Sequence, residues 1–109
     1  MENKFKIGDY VRVDWTDSIL KIQEWDKSGK FYWFDEDDQC YWYHCEKSEF
    51  NPYETSYYCN MAEDDVIEMA TEKEFYLARK ESLEYAIEGH KRAIKSFEDD
   101  IKEIEKYLR

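Results

Sequence analysis

A chain of 109 residues with 27 acids against 16 bases, a formal charge of −11, is sized for one domain with at most an appended element. Charge this high can signal disorder, but an aromatic share of 18% excludes that reading and requires a folded acidic domain. No apolar run reaches the roughly 18–20 residues of a membrane span, and "MENKFKIGDY" lacks the apolar stretch of a signal peptide, so the cytoplasm is the expected compartment.

Lys6-Ile7-Gly8-Asp9 reads as a turn into "YVRVDW", where Val11, Val13 and Trp15 alternate with Tyr10, Arg12 and Asp14. Period two over β-branched and aromatic residues predicts a half-buried strand. "ILKIQEW" repeats the pattern. Asp26 to Lys30 supplies turn residues, and Phe31 to Phe34 resumes strand character, which predicts a hairpin closed at Ser28-Gly29. Asp35, Glu36, Asp37 and Asp38 make a second tight connection, and Gln39 to Lys47 a third strand-like run. Ser48 to Ser56, with Asn51-Pro52, reads as a longer loop. Two short strands follow, Tyr57 to Met61 and Val66 to Met69, around a turn at Ala62 to Asp65.

Five or six short strands joined by short turns predict a small antiparallel barrel, because closure removes sticky edges. "FKIGDYVRVDW" resembles the first strand of Src-homology-3-like small β-barrels of the KOW and Tudor kind, and "AEDDVIEMA" resembles their short turn and last strand. The resemblance covers residues 5–70 and implies fold rather than function. The tyrosine-rich signature of the peptide-binding members is absent near the first strand.

At Thr71 the texture changes. "TEKE" is a capping box, and from Leu83 an apolar seam runs Leu83, Ile87, His90, Ile94, Phe97, Ile101, Ile104, Leu108 at alternating steps of four and three. That spacing is a heptad seam, with Ile87, Ile94, Ile101 and Leu108 at a and the others at d. Residues 1–70 hold 17 acids and 7 bases, whereas residues 71–109 hold 10 and 9. The expected division is therefore an acidic, aromatic barrel over 1–70 and a nearly neutral helix over 71–109. The fold class expected is α+β. A continuous helix would be about 55 Å long at ~1.5 Å per residue, against about 25 Å for such a barrel. Its seam would pair with another copy, or the helix would fold back near Gly89. The unbroken heptad phase favours continuity and a homodimer.

Candidate chemistry is sparse. Cys40, His44, Cys45 and Cys59 are zinc-ligand types, but on a strand Cys40 and His44 stand about 13 Å apart and Cys45 points to the other face. No C-x-x-C pair, phosphate loop or nucleophile motif is present, so neither metal, cofactor nor catalysis is expected. His90 reads as a polar residue setting helix register. Direct nucleic-acid binding requires basic side chains, and residues 1–70 have the opposite sign.

What remains is "FYWFDEDDQCYWYH", aromatic on both strand faces. Alternation sets Phe31 and Trp33 against Tyr32 and Phe34, and Tyr41 and Tyr43 against Trp42 and His44. One face fills the core. The other is covered by the helix or is a binding patch. Asp35 to Asp38 as charge, with Trp33, Tyr41, Trp42 and Tyr43 as anchors, suit a basic partner, which is commonly a protein built to hold nucleic acid. In size and charge the chain is similar to small acidic phage inhibitors of restriction or CRISPR nucleases, which implies nucleic-acid mimicry. Two other readings stand beside it: a structural homodimerisation protein with a solubilising acidic surface, and a Tudor-like module caging a methylated side chain.

Overall fold

The computed structural model describes residues 2–49 and 57–109. The predicted loop containing Asn51-Pro52 lies outside the described residues except at its start. Lys6 to Asp9 turns as expected: the Asp9 amide donates to the Lys6 carbonyl at 3.1 Å, and Gly8 takes φ 93°, a conformation that glycine adopts without strain. The turn delivers the chain into β1 (Tyr10–Val13), which pairs antiparallel with β2 (Ile19–Ile22). Trp15 lies past the end of β1 and is exposed, so the alternation read through it stops two residues early.

β3 (Tyr32–Asp35), β4 (Cys40–Lys47), β5 (Tyr58–Ala62) and β6 (Val66–Ala70) complete one open antiparallel sheet. The order is β3-β4-β2-β1-β6, with β5 on the other edge of β4. The tight turn lies at Asp26-Lys27 and not at Ser28-Gly29: both residues take left-handed φ values, 41° and 62°, and the Ser28 amide donates to the Trp25 carbonyl at 2.7 Å. Nor do β2 and β3 form the expected hairpin. Both lie along the same edge of β4: β3 pairs with Cys40 to Tyr43 and β2 with Cys45 to Lys47. The reason is length. β4 has eight residues and takes two four-residue strands end to end. His44 bridges the join, its carbonyl accepting from Gln23 at 3.0 Å and its amide donating to Phe31 at 2.9 Å. Residues 24–30 are thus an excursion out of one nearly continuous strand line.

The core lies on one sheet face. Val11, Val13, Leu20, Ile22, Tyr43, Cys45 and Met61 are buried together, with Phe5, Phe31 and Val66 packed at the margin. Each such aliphatic side chain contributes about 1.5–3 kcal/mol on full burial.

α1 (Glu72–Glu105) is a single helix of 34 residues, unbroken at Gly89. The capping box forms: the Glu74 amide donates to Thr71 Oγ1 at 3.1 Å, and the Thr71 hydroxyl donates to Glu74 Oε1. Arg12 joins Glu74 to the sheet by an ion pair and also meets Glu68 at 3.1 Å. The Arg12 guanidinium, then the Thr71 hydroxyl, hold the Glu74 carboxyl below the usual range. Among the described residues α1 packs on the sheet through its first turns. Phe75 is buried against Tyr10, ring centroids 5.3 Å apart. Arg79 lies over the Phe75 ring and pairs with Glu46 at 2.7 Å. From Leu83 onward the helix leaves the sheet, and the molecule measures 75 × 28 × 26 Å.

Candidate partner-binding surface

The β3–β4 hairpin sets Tyr32 opposite Tyr43, Trp33 opposite Trp42 and Phe34 opposite Tyr41. Side-chain alternation then puts Tyr32, Phe34, Tyr41 and Tyr43 on the core face, and Trp33, Trp42 and His44 on the outer face. Phe31 precedes β3 and packs against the core near Tyr43, so it does not share a face with Trp33 as the alternation predicts. Tyr43 is 0% exposed and belongs to the core, not to the partner surface. Its hydroxyl donates to Glu63 Oε2 and accepts from the Lys4 and Phe5 amides at 3.1 and 3.3 Å, which ties the N-terminal segment to the sheet. Burial, then the bond to Glu63, raises its phenol above the ordinary range.

Past Tyr43 the hairpin reaches the core's margin, where Tyr41 still packs against the core, and then overhangs it. Tyr32 and Phe34 are exposed and Tyr41 half-buried, in one row with ring spacings of 5.8 Å (Tyr32–Tyr41) and 5.2 Å (Phe34–Tyr41). The row ends at the acidic turn. Asp35 Oδ1 accepts from the Asp37 and Asp38 amides at 2.9 and 3.2 Å, and Gln39 takes a left-handed φ of 53° to re-enter β4. With its own carboxylate closing the turn, Asp35 is half-buried, while Glu36, Asp37 and Asp38 face outward.

A second acidic loop joins the first. The 3₁₀ turn Glu63–Asp65, between β5 and β6, adds three carboxylates at the same end of the sheet. Cys40 registers this convergence: burial first, then Asp64, Asp38, Asp35 and Asp65, raise its thiol above the ordinary range. Between the loops lies a pocket of about 290 Å³ lined by Glu2, Lys4, Phe34, Gln39, Cys40, Tyr41, Glu63 and Asp64.

The outer face carries a different arrangement. Rings form a ladder: Tyr58 stacks on His44 at 5.3 Å, His44 on Trp25 at 4.7 Å and Trp33 on Trp42 at 6.2 Å, while Trp25 meets Trp33 tilted at 41°, 5.5 Å away. Trp33, Trp42, His44 and Trp25 are half-buried by this stacking, and Trp42 Nε1 is buried without a hydrogen-bond partner among the described residues. A cage for a methylated cation needs rings set around an open centre. Here each ring lies against the next. The ladder is a covering for the sheet at the place where residues 24–30 leave it.

Burial lowers the His44 imidazole below its ordinary value, with Asp26 acting in the opposite direction. The folded state therefore prefers neutral His44, while the unfolded chain takes up a proton near pH ~6.5. Stability present above that pH is lost as pH falls toward the lower folded value. Urea midpoints measured from pH 8 to 5.5 are expected to fall more steeply in the wild type than in His44→Gln; parallel profiles would show that His44 does not report on folding.

All eight predicted seam residues are exposed. Leu83, Ile87, His90, Ile94, Phe97, Ile101 and Ile104 lie on α1, and Leu108 follows its end, where the Leu108 amide donates to the Glu105 carbonyl at 3.1 Å. Ile94 is 55% and Phe97 65% exposed, high values for large apolar side chains spaced for one stripe.

Cys45 stands directly opposite Cys59 across β4–β5, and burial raises both thiols, that of Cys59 to about 11. Among the described residues no group of His, Cys, Asp or Glu side chains is placed to hold a metal ion, and no helix is long and apolar enough to cross a membrane. Sequence reasoning missed Tyr32, Phe34 and Glu63 to Asp65 as surface residues beside the acidic turn. Alternation sets the two rings opposite Trp33 but does not say which face is the core. Only the sheet order shows that the hairpin outruns the core, and that β5 returns the second acidic loop to its tip. Comparison with protein-family models, with curated proteins and with solved structures finds no match for this chain.

Proposed function

We propose that this chain is a non-catalytic acidic binding protein that masks a basic, nucleic-acid-binding protein, with α1 pairing two copies. The observation carrying this reading is the convergence of two acidic loops, Asp35 to Asp38 and Glu63 to Asp65, beside the exposed rings of Tyr32 and Phe34. Exposed rings supply desolvated contact area, and the carboxylates supply attraction to a surface that otherwise holds phosphates. The partner is a protein and not a nucleic acid, since carboxylates repel the phosphate backbone. The open sheet is proposed to close as a Src-homology-3-like barrel of the KOW or Tudor kind. The pairing of β6 with β1 and the short turn between β5 and β6 support that assignment. The chain is then a small acidic inhibitor in the style of those made by phages, acting in the cytoplasm of the host.

Capture from lysate at about 50 mM salt, where screening is weak, is expected to retain a basic protein that added nucleic acid displaces. Changing Asp35, Asp37 and Asp38 to Asn and Glu36 to Gln keeps the Asp35 turn acceptor but removes four charges. Association should slow about tenfold or more and lose most of its salt dependence. No basic protein retained, or an unchanged rate, overturns the reading.

A further inference from the structure

We infer that the α1 seam pairs with a second copy in antiparallel orientation, placing the two acidic sheets at opposite ends of a rod. This inference rests on the pairing proposed above and adds its direction and register. The exposed stripe begins at Leu83, where α1 leaves the sheet, and runs to Leu108. From Leu83 to the end of α1 at Glu105 it covers just over three heptads and about 33 Å of helix, with Leu108 just beyond.

An antiparallel pair centred between Lys95 and Ser96 brings every a residue against a d residue. Leu83 meets the partner's Leu108, Ile87 the partner's Ile104, His90 the partner's Ile101, and Ile94 the partner's Phe97. No seam residue is left over at either end. A parallel pair would bury the same stripe, so charge decides between them. Along the projecting helix Lys91, Arg92 and Lys95 precede Glu98, Asp99 and Asp100. Antiparallel pairing lays each basic cluster along the partner's acidic one, and at the e positions flanking the seam sets Lys91 beside the partner's Glu98, twice by symmetry. Glu84 beside the partner's Glu105 is the like-charge contact of this register, at the two exposed ends. Parallel pairing lays each cluster along its own kind and sets Asp100 beside the partner's Glu105.

The sheets give the same answer. Residues 1–70 carry 17 acids and 7 bases. Parallel helices hold two such bodies side by side, each 26–28 Å across in a molecule of 75 × 28 × 26 Å. Antiparallel helices in this register hold the two points where α1 leaves the sheets about 38 Å apart, several times the ~10 Å screening length at 0.1 M salt. Each end then presents one acidic surface, and one assembly engages two partner molecules.

The test is one variant carrying His90→Cys and Ile101→Cys, both at exposed helix positions, with two readouts. Light scattering reports the oligomeric state of the wild type and of the reduced variant. Oxidation with diamide followed by trypsin then reports which peptides are joined. In the antiparallel register position 90 faces 101 of the partner, so fragment 81–91 is joined to fragment 96–102. The same two positions within one helix are about 16 Å apart, too far for a disulfide. Fragment 81–91 joined to itself, and 96–102 to itself, marks a parallel dimer and overturns the orientation while leaving the pairing intact. A dimer with neither link overturns the register. A monomeric wild type overturns both the pairing and its direction.

Discussion

Phe75→Ala is expected to cost about 3–5 kcal/mol, as for other buried Phe-to-Ala changes, and so to remove a large part of a domain stability of about 5–15 kcal/mol. Phe75 is 0% exposed and is the fully buried residue of α1. It touches Tyr10 on β1, supports Tyr76 at 5.2 Å, and forms the floor on which Arg79 lies 4.9 Å away. Arg79 in turn reaches Glu46 and the Lys47 and Ser48 carbonyls, so losing the ring loosens a charged clamp as well as leaving a cavity. Urea unfolding followed by helix circular dichroism and by tryptophan fluorescence should show both transitions at lower denaturant. Phe75→Leu, which keeps most of the volume, should retain most of the stability. A helix that melts at the wild-type midpoint in Phe75→Ala would mean that α1 does not depend on the sheet.

Local pattern made much of the fold legible, because most elements declare themselves within a few residues. Val11 and Val13, Leu20 and Ile22, the Gly8 turn and the Thr71 cap are each read from neighbours in the chain. The misread parts depend on distance. Whether β2 pairs with β3 or lies end to end with it is settled by the length of β4, not by the turn between them, which falls at Asp26-Lys27 and suits either arrangement. The same holds for the candidate surface. Asp35 to Asp38 is visible as a run of acids, but its union with Glu63 to Asp65 needs β5 laid along β4 in register. Tyr43 and Tyr41 are two residues apart on one face, yet one is fully buried and the other half-buried at the core's margin, because the core thins out between them. Strand periodicity assigns a face and is silent about where along that face the covering residues stop.

If α1 pairs as proposed, Ile94→Asp is expected to give a monomer while leaving the sheet folded. Ile94 stands at an a position near the middle of the exposed stripe and is 55% exposed, so the substitution costs the isolated chain little beyond helix propensity. In a paired helix it buries two carboxylates against apolar neighbours, a large penalty that an added charge partner does not relieve. The molecule offers a competing explanation for any self-association. β6 is an edge strand whose Ile67 and Met69 are exposed, and an uncovered apolar edge also promotes pairing between copies. The two surfaces separate cleanly. If the seam holds the dimer, Ile94→Asp gives the monomer mass by light scattering and Ile67→Asp leaves the dimer intact. The reverse result would assign association to the sheet edge. In the proposed antiparallel register the dimer also carries salt-sensitive contacts between Lys91 and the partner's Glu98, so Lys91→Glu should weaken it by about a factor of a few, and Lys91→Glu with Glu98→Lys should restore it. The swap restores the wild-type charge relation only where position 91 meets 98 of the other copy, as antiparallel helices require, so the rescue reads pairing and direction together.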